Sequence, residues 1–233
     1  MNSVQVVVIT GAAGNLGRAT AEAFRAKGAA LALLDVNLDA LRNAHGADSA
    51  SQLPLAADLT RSEPAAKAVA EILARWKRID VLCNIAGGFT MGHKVHATPD
   101  EVWRHMIDLN VATMVNSARA AVPAMLAAGR GKIVNIGAAA ALSGKADMGA
   151  YVASKSAVIR LTESMAAELR HGGINVNCVL PSIIDTPENR GAMPKADPRH
   201  WVAPAALADV IVFLASDAAR AIHGAAIPVV GLS

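Results

Sequence analysis

Short apolar runs rich in β-branched residues alternate with longer helical patterns along the chain, and this alternation restricts the possible folds more than any other feature. An apolar run bounded by turn residues is typical of a strand buried on both faces, as the strands of parallel sheets are. Parallel strands need long crossover connections, which the helical segments supply. The seven predicted strands lie at residues 4–9, 30–35, 53–57, 79–84, 132–136, 175–180 and 226–230.

The helical segments fall between the predicted strands. Right-handed crossovers between seven strands place helices on both faces of the sheet. The sequence therefore predicts an α/β fold with a doubly wound, parallel, seven-stranded sheet in a Rossmann-type three-layer α/β/α arrangement, and a single domain over residues 1–233. Four helical segments lie at residues 15–27, 62–76, 150–170 and 204–216, and two more start near residues 38 and 98.

Two segments do not fit the alternation, residues 87–97 and residues 182–203. Each follows the end of a predicted strand and is rich in Gly, Pro, Met and charged residues. In open α/β sheets the ligand-binding crevice lies at the carboxyl ends of the strands. We therefore expect these two segments to form the rim of a small-molecule substrate site.

Charge and cysteine content argue against several classes of protein. The 22 Lys and Arg residues exceed the 19 Asp and Glu residues only slightly and form no basic run, so no nucleic-acid surface is predicted. Cys83 and Cys178 lie in apolar strand-like runs, and His93 and His96 have no acidic or cysteine partner nearby, so we predict no disulfide framework and no metal site. With no apolar stretch near the roughly 18 residues of a membrane span and no signal-peptide pattern, we expect no membrane association and a cytoplasmic location.

A glycine-rich segment, TGAAGNLG at residues 10–17, joins the first predicted strand to the first predicted helix. Its glycines, Gly11, Gly14 and Gly17, allow a sharp turn and a close approach of a ligand to the backbone. Backbone N–H groups and the helix N-terminus can receive a pyrophosphate at such a turn. Glycines also serve ordinary tight turns, but this strand–turn–helix placement favours a dinucleotide site.

Asp35 ends the second predicted strand, 18 residues after Gly17. An acid near this separation accepts the hydroxyls of the adenosine ribose. A 2′-phosphate would lie against the carboxylate, and like charges about 4 Å apart cost on the order of 4 kcal/mol at an effective dielectric of 20. We therefore predict NAD(H) over NADP(H). The alternative is that Asp35 caps the next helix, and Arg18 nearby would soften the repulsion.

Tyr151 is the only tyrosine in the chain, so any phenol chemistry must use it. Lys155 follows four residues later in a predicted helix, so both side chains project from one face. A neighbouring ammonium favours the phenolate and lowers the tyrosine pKa from its reference value of about 10. Such a pair suits proton transfer beside a hydride acceptor, although a Tyr/Lys pair at this spacing is also common on exposed helix surfaces.

Six segments, in order from residue 4 to about residue 230, resemble motifs of the short-chain dehydrogenase/reductase family. The resemblance implies a Rossmann-fold oxidoreductase that transfers a hydride between NAD(H) and a small carbonyl or alcohol substrate. The matching segments are TGAAGNLG at residues 10–17, Asp58-Leu59-Thr60, Asn84-Ile85-Ala86-Gly87, Asn110, the Tyr151/Lys155 pair, and the stretch from Pro181 to Thr186-Pro187.

The resemblance also implies roles for individual residues. Tyr151 is expected to act as the general acid/base, Lys155 to lower its pKa and bind the nicotinamide ribose, and Asn110 to hold a water in the proton path. A homotetramer or homodimer is expected to pack through helices near residues 100–128 and 150–170. The residues expected to contact the cofactor are Gly11, Gly14, Asn15, Leu16, Gly17, Asp35, Asp58, Leu59, Asn84, Ala86, Gly87, Tyr151, Lys155, Pro181, Ile184 and Thr186.

This chain departs from the family pattern where the substrate would bind. Family members carry a serine 13 residues before the tyrosine that donates to the substrate oxygen, and here that position is Ala138. Loss of one such donor typically costs about 10²–10³ in rate. Ser143 or a water replaces the donor, or the acceptor needs none, or the protein binds NAD(H) with little catalysis. Milder departures are Asn15 at the middle glycine, Ile85 in place of an asparagine, and Ser182 at the glycine after Pro181.

The stretch at residues 180–201 is also similar to a segment of quinonoid dihydropteridine reductase, a family relative that likewise lacks the serine. This resemblance implies, as an alternative function, NADH-linked reduction of a quinonoid dihydropterin. A ring nitrogen accepts the proton in such a substrate, so less stabilisation of an oxyanion is needed.

Overall fold

The computed structural model describes residues 4–233, which form one parallel sheet of seven strands between two layers of helices. The strand order is β3-β2-β1-β4-β5-β6-β7, so the carboxyl ends of β1 and β4 adjoin where the winding changes direction. Ligands bind at this point in doubly wound sheets. The strands are β1 (Val6–Thr10), β2 (Ala30–Asp35), β3 (Gln52–Ala56), β4 (Val81–Asn84), β5 (Gly131–Ile136), β6 (Ile174–Pro181) and β7 (Ala226–Val229).

Eight α-helices occur in this part of the chain, and most of them are crossovers between consecutive strands. A π-helical turn, Asp108–Ala112, joins two of them into one long helix. The helices are α1 (Asn15–Arg25), α2 (Leu38–His45), α3 (Ser62–Trp76), α4 (Asp100–Ile107), α5 (Thr113–Ala128), α6 (Gly149–Leu169), α7 (Pro187–Ala192) and α8 (Pro204–Leu214).

Strand residues alternate between two hydrophobic cores, one on each face of the sheet. In β1, Val7 and Ile9 pack into the core that contains Phe24 of α1 and the buried side chains of α8. Val6 and Val8 face the opposite core, which is covered by α3 and α5. Because both faces are buried, both sets of alternating residues must be apolar, which explains the uninterrupted apolar runs.

The structure confirms the doubly wound parallel sheet and shifts several element ends by one or two residues. β1 begins at Val6, where it first pairs with Ala30, whereas Val4 is exposed. The rim segment after β6 contains α7, which the sequence did not predict. The predicted domain covers residues 1–233, of which residues 1–3 lie outside the described part of the chain.

One helical stretch, Asp100–Ala128, is long and apolar enough, by length and composition alone, to cross a membrane. The sequence prediction of no membrane span considered only uninterrupted apolar runs, and this stretch is interrupted by polar residues. It packs against α3, α6 and the sheet, as the core helix of a layered fold does. Ile107 and Leu126 on the same stretch stay partly exposed.

Candidate active site

The predicted glycine-rich turn connects β1 to α1 and has no room for side chains at two of its glycines. Gly11 has a φ of +63°, and a Cβ there would lie 2.9 Å from the backbone of Ala86. A Cβ at Gly17 would overlap the carbonyl oxygen of Gly11 and lie 2.7 Å from Ala12 Cα. Gly14 is the N-cap residue of α1, and no side chain among the described residues caps this helix. The first N–H groups of α1 are therefore suited to receive an anion.

Two side chains hold this turn from outside. Asp35, at the end of β2, accepts a hydrogen bond from Ala13 N at 3.1 Å through Oδ2. His45, in the last turn of α2, places Nε2 2.8 Å from the carbonyl oxygen of Ala12, and burial lowers the pKa of this imidazole. Asp35 therefore lies beside the turn, and its contact with the adenosine ribose stays a prediction. Sequence reasoning missed His45, because a single histidine at a helix end carries no motif.

Asn15 and Leu16, the first two residues of α1, have different neighbours. Leu16 is buried in the core shared by α1 and α8, so its side chain serves packing. Asn15, at the family's middle glycine, donates from Nδ2 to Oε2 of Glu188 in α7 at 2.9 Å. Thr186 caps α7 and accepts from Asn189 N at 3.2 Å. The glycine-rich turn and the rim segment after β6 are therefore in direct contact, through a glutamate that the sequence motifs did not single out.

The segment after β4 is tied to the end of β1. Thr10 Oγ1 accepts from the N–H groups of Ile85 and Ala86, each at 3.0 Å. Asn84 donates from Nδ2 to Asn135 Oδ1 at 2.8 Å, which links β4 to β5. The buried Asn84 Oδ1 has no hydrogen-bond partner among the described residues. Ala86 thus lies against the glycine-rich turn, whereas Asn84 supports the sheet.

Asp58 and Leu59 follow β3 and have opposite environments. Asp58 is exposed, and its Oδ1 accepts from Thr60 N at 3.0 Å and from Thr60 Oγ1 at 2.6 Å. Leu59 is buried, and its carbonyl accepts from Asn116 Nδ2 at 3.0 Å. A groove of about 410 Å³ runs from Val36 past Asp58 along α3. Asp58 can therefore contact a ligand at this end of the sheet, and Leu59 anchors the turn.

Asn110, Ser154 and Tyr151 form a hydrogen-bonded chain between the π-helical turn and α6. Asn110 Nδ2 donates to Ser154 Oγ at 3.0 Å, and Ser154 Oγ donates to the carbonyl of Tyr151 at 2.7 Å. Asn110 also binds the backbone of Gly88 in both directions, at 2.9 Å to its N–H and 3.1 Å to its carbonyl. Single π-helical turns inside α-helices are frequent at functional sites. Sequence reasoning did not identify Ser154.

Lys155 is buried on the face of α6 that also carries Tyr151, and it donates from Nζ to the carbonyl of Ile136 at 2.8 Å. A Cβ at Gly87 would lie 3.1 Å from this Nζ and 2.8 Å from Asn110 Oδ1. A side chain at residue 87 would therefore have to displace the ends of both side chains. The structure therefore brings Gly87, Asn110 and Lys155 together at the carboxyl edge of the sheet, as the motifs predict.

The protonation properties of Tyr151 differ from the sequence prediction. Burial raises the pKa of Tyr151 to about 12. Burial also lowers the pKa of Lys155 to about 8, with a smaller opposing effect from Cys178. Among the described residues no hydrogen bond joins Tyr151 to Lys155, whose ammonium donates to a main-chain carbonyl. The prediction that Lys155 lowers the pKa of Tyr151 is wrong for this structure, because desolvation outweighs the charge of a lysine engaged elsewhere.

Two apolar groups enclose the phenol ring of Tyr151. Phe89 lies edge-to-face against it, with ring centroids 4.8 Å apart and planes inclined by 78°. Tyr151 also packs against a cluster that contains the buried Ala138 and Ala141. Ser143 comes after the turn that follows Ala138 and is exposed. Sequence reasoning missed Phe89, because one aromatic residue in a loop has no periodic signal.

The rim segment after β6 is closed at its base. Pro181 is the buried last residue of β6, and Ser182 donates from Oγ to the carbonyl of Val230 at 2.9 Å. Ile184 pairs with Val202 across the two ends of the segment and packs against the first core. Ile184 therefore anchors the base of the segment. The predicted contacts of Pro181 and Ile184 with a cofactor stay predictions.

Comparisons with known proteins agree with this geometry. The family model described as short chain dehydrogenase matches residues 5–197. A sorbitol dehydrogenase of Cereibacter sphaeroides is 38% identical over 182 residues, 78% of this chain and 71% of the relative. An NAD-dependent glycerol dehydrogenase of Listeria innocua is 35% identical over 229 residues, 94% of this chain and 90% of the relative.

A solved structure shows the same architecture. NAD⁺-bound xylitol dehydrogenase superposes with a TM-score of 0.89 at 27% identity and covers 97% of this chain and 98% of its own. The likeness thus extends over the whole sheet and its helices, and the family match includes the glycine-rich turn and the Tyr151/Lys155 pair. On these grounds the chain belongs to the short-chain dehydrogenase/reductase family of oxidoreductases.

Proposed function

We propose that this chain transfers a hydride between NAD(H) and a small carbonyl or alcohol substrate, and that Tyr151 and Lys155 handle the proton. One observation carries the proposal. Asn110, Ser154 and Tyr151 are joined by hydrogen bonds, and Lys155 lies beside Gly87, at the edge of the sheet onto which the glycine-rich turn also opens. The segment that carries the proposed proton donor and the proposed dinucleotide cradle thus lie at the same edge of the sheet.

The residues present fit a nicotinamide dinucleotide. Two glycines of the β1–α1 turn would clash with their neighbours if they carried a Cβ, and no side chain in the described part of the chain caps α1. Gly11, Gly14 and Asn15 would hold the pyrophosphate, and Asp35 the adenosine ribose. When bound, the nicotinamide supplies or accepts the hydride. Contacts from Asp58, Ala86 and Thr186 are part of the same proposal.

Four side chains of this protein take part in the proposed proton transfer or hold the residues that do. In the reducing direction the phenol of Tyr151, which is protonated at neutral pH, donates its proton to the substrate oxygen. Lys155, whose ammonium donates to the carbonyl of Ile136, would bind the nicotinamide ribose. Asn110 holds Ser154, which in turn binds the carbonyl of Tyr151 and orients that turn of α6.

We propose NAD(H) over NADP(H) because the Asp35 carboxylate lies at the end of β2, against the N–H of Ala13. A 2′-phosphate beside this carboxylate would be repelled. The relative from Listeria innocua, named an NAD-dependent glycerol dehydrogenase, supports the same preference. Titration of the purified protein with NADH and NADPH tests it, and an affinity for NADPH equal to or better than that for NADH would overturn it.

Two alternatives follow from Ala138. The apolar cluster around it favours an acceptor that needs no side-chain donor, such as a quinonoid dihydropterin whose ring nitrogen takes the proton. The same residue would also suit a protein that binds NAD(H) with little catalysis. Relatives named as dehydrogenases of sorbitol and glycerol support the main proposal of alcohol and ketone chemistry.

Oxidation of NADH by the purified protein distinguishes these functions. The acceptors are ketones, diketones, acyl-CoA thioesters and a freshly oxidised tetrahydropterin, with NADH absorbance as the readout. Turnover of a ketone supports the main proposal. Turnover of the pterin alone selects quinonoid dihydropterin reduction. Tight NADH binding without turnover of any acceptor selects a protein that binds NAD(H) with little catalysis.

We also propose a homodimer or homotetramer that packs through the long helices. The partly exposed Ile107 and Leu126 on the stretch Asp100–Ala128 supply apolar surface for such contacts. Native mass spectrometry tests this, and a monomer at micromolar concentration would refute it. A cytoplasmic location stays a prediction, with which the buried free thiols of Cys83 and Cys178 are compatible.

A further inference from the structure

Phe89 occupies a position in the candidate active site that the proposed reaction does not use. Its ring contacts Tyr151 edge-to-face at 4.8 Å between centroids. Yet 56% of the residue stays exposed. Large aromatic side chains bury most of their surface when they serve only packing. An open phenyl ring beside the proton donor therefore offers a binding surface to whatever approaches Tyr151.

The backbone before Phe89 is held in place, so the ring does not stand on a free loop. Gly88 exchanges two hydrogen bonds with the Asn110 side chain, at 2.9 Å and 3.1 Å. A Cβ at Gly88 would lie 2.5 Å from Leu109 Cδ2, so this residue lies tight against the π-helical turn. The asparagine that supports α6 thus also fixes the approach of Phe89 to Tyr151. A pre-positioned ring loses little entropy on ligand binding.

Apolar residues that follow β5 also lie near Tyr151. Ala138 and Ala141 are buried in the cluster against which Tyr151 packs. Leu142, the next residue, is 59% exposed. Residues 138–142 carry no polar side chain. Of the polar side chains at the site, Asn110 and Lys155 are already engaged in hydrogen bonds within the protein.

We propose that Phe89 is a specificity-determining residue that favours substrates whose reacting C=O or C=N group belongs to a planar, apolar ring. The inference rests on the proposed function and adds the substrate class. A flat unsaturated ring gains an offset or edge-to-face contact with the exposed phenyl, whereas a short hydroxylated ketone must lose hydration against the apolar surface.

A comparison of two neutral acceptors tests this proposal. The ratio of kcat/KM for 2-cyclohexen-1-one to that for dihydroxyacetone is measured with NADH in the parent protein, Phe89→Ala, Phe89→Leu and Phe89→Trp. We expect Phe89→Ala to lower the ratio about 10- to 100-fold, mainly through the KM for the ring ketone. Phe89→Leu should lower it less, and Phe89→Trp should keep it near the parent value. An unchanged ratio in Phe89→Ala, or an equal loss on both acceptors, would overturn the proposal.

Phe213→Ala is the matched control. Phe213 is also a partly exposed phenylalanine, 45% exposed, but it lies on α8 beside Gln5 and Lys27, near the amino ends of the strands. Its removal should leave the ratio unchanged. A change in this ratio as large as that of Phe89→Ala would show a general packing effect and overturn the proposal.

A binding measurement separates failure of this proposal from failure of the proposed function. 2-Cyclohexen-1-one is titrated into the NADH complex of Tyr151→Phe and of the Phe89→Ala/Tyr151→Phe double variant, with NADH fluorescence as the readout. This step needs no turnover. About 10-fold weaker ring binding without the phenyl supports the role of Phe89 even if no acceptor is reduced. Equal binding overturns it, whether or not the parent protein reduces ketones.

Discussion

Ala138 lies where the family pattern predicts a serine, and it is buried in the cluster against which Tyr151 packs. We expect Ala138→Ser to raise kcat/KM on simple ketones about 10- to 100-fold, since one donor to a developing oxyanion is worth about 10²–10³ in rate. Initial rates of NADH oxidation check this. Ala141→Ser, which adds a hydroxyl to the same cluster, is the control and should give no gain. If Ala138→Ser also gives no gain, then Ser143 or a water already supplies the missing hydrogen bond, or the substrate does not need it.

The buried ammonium of Lys155 sets an alkaline limit to carbonyl reduction. Its pKa is lowered to about 8, so the positive charge is lost as the pH rises through about 8, while Tyr151, with a pKa of about 12, stays protonated. The reduction rate should therefore fall about tenfold per pH unit above about pH 8. A pH–rate profile with NADH checks this. Lys155→Met should lower the rate and remove its fall above about pH 8. Lys145→Met, at an exposed lysine, should leave that fall in place. A parent rate that stays constant to about pH 10 would contradict the role given to the Lys155 charge.

Single residues of the site were predictable where a regular element sets their position. Tyr151 and Lys155 share a face because the helix repeats every 3.6 residues, and Asn110 followed from its motif. Phe89 and Glu188 were missed because their contacts join loop or short-helix residues to partners far away in the sequence. The direction of the Tyr151 pKa was also missed, since it depends on burial and on which acceptor the lysine finds.

At the scale of elements, the turn between β1 and α1 is the most constrained part of the site. A Cβ at Gly17 would overlap the carbonyl of Gly11, so Gly17→Ala must push α1 away from the turn. We expect loss of about 1–3 kcal/mol of unfolding free energy and at least about tenfold weaker NADH binding. Urea unfolding and NADH fluorescence titration measure the two effects.

Gly144→Ala is the matched control for this change. A Cβ at Gly144 has open space around it and no positive φ to strain, so both quantities should stay near the parent values. Parent-like NADH affinity in a folded Gly17→Ala protein would contradict the cradle assigned to this turn. Equal losses in the two variants would point to a nonspecific effect of the methyl group.

Whether a strand or helix could be predicted from the sequence depends on what stabilises it. Strands buried on both faces were predictable to within about two residues, because burial requires continuous apolar runs. The π-helical turn was not predicted from the sequence; it contains Asn110, whose side chain binds the backbone of the distant Gly88. Helix α7 has only six residues and begins at the Thr186 cap, so it has too little length for a periodic pattern.

At the scale of the whole molecule, the strand order explains why distant motifs meet. β1 lies beside β4, and β4 beside β5, so the glycine-rich turn, the segment after β4 and the start of α6 share one edge. Seven strand signals and crossover handedness predict a doubly wound parallel sheet from the sequence, but not the order of its strands. In our proposal the substrate is recognised by rim side chains such as Phe89, whose arrangement no strand or helix period encodes.

The central claim is that Tyr151 donates the proton in an NADH-linked reduction. Its most direct test is the rate of NADH oxidation, with an acceptor that the parent protein reduces, by Tyr151→Phe, together with NADH affinity. Removal of a general acid costs about 10²–10⁴ in rate, so we predict a loss of kcat in that range with NADH binding near the parent value. Unaltered turnover by Tyr151→Phe would contradict the account.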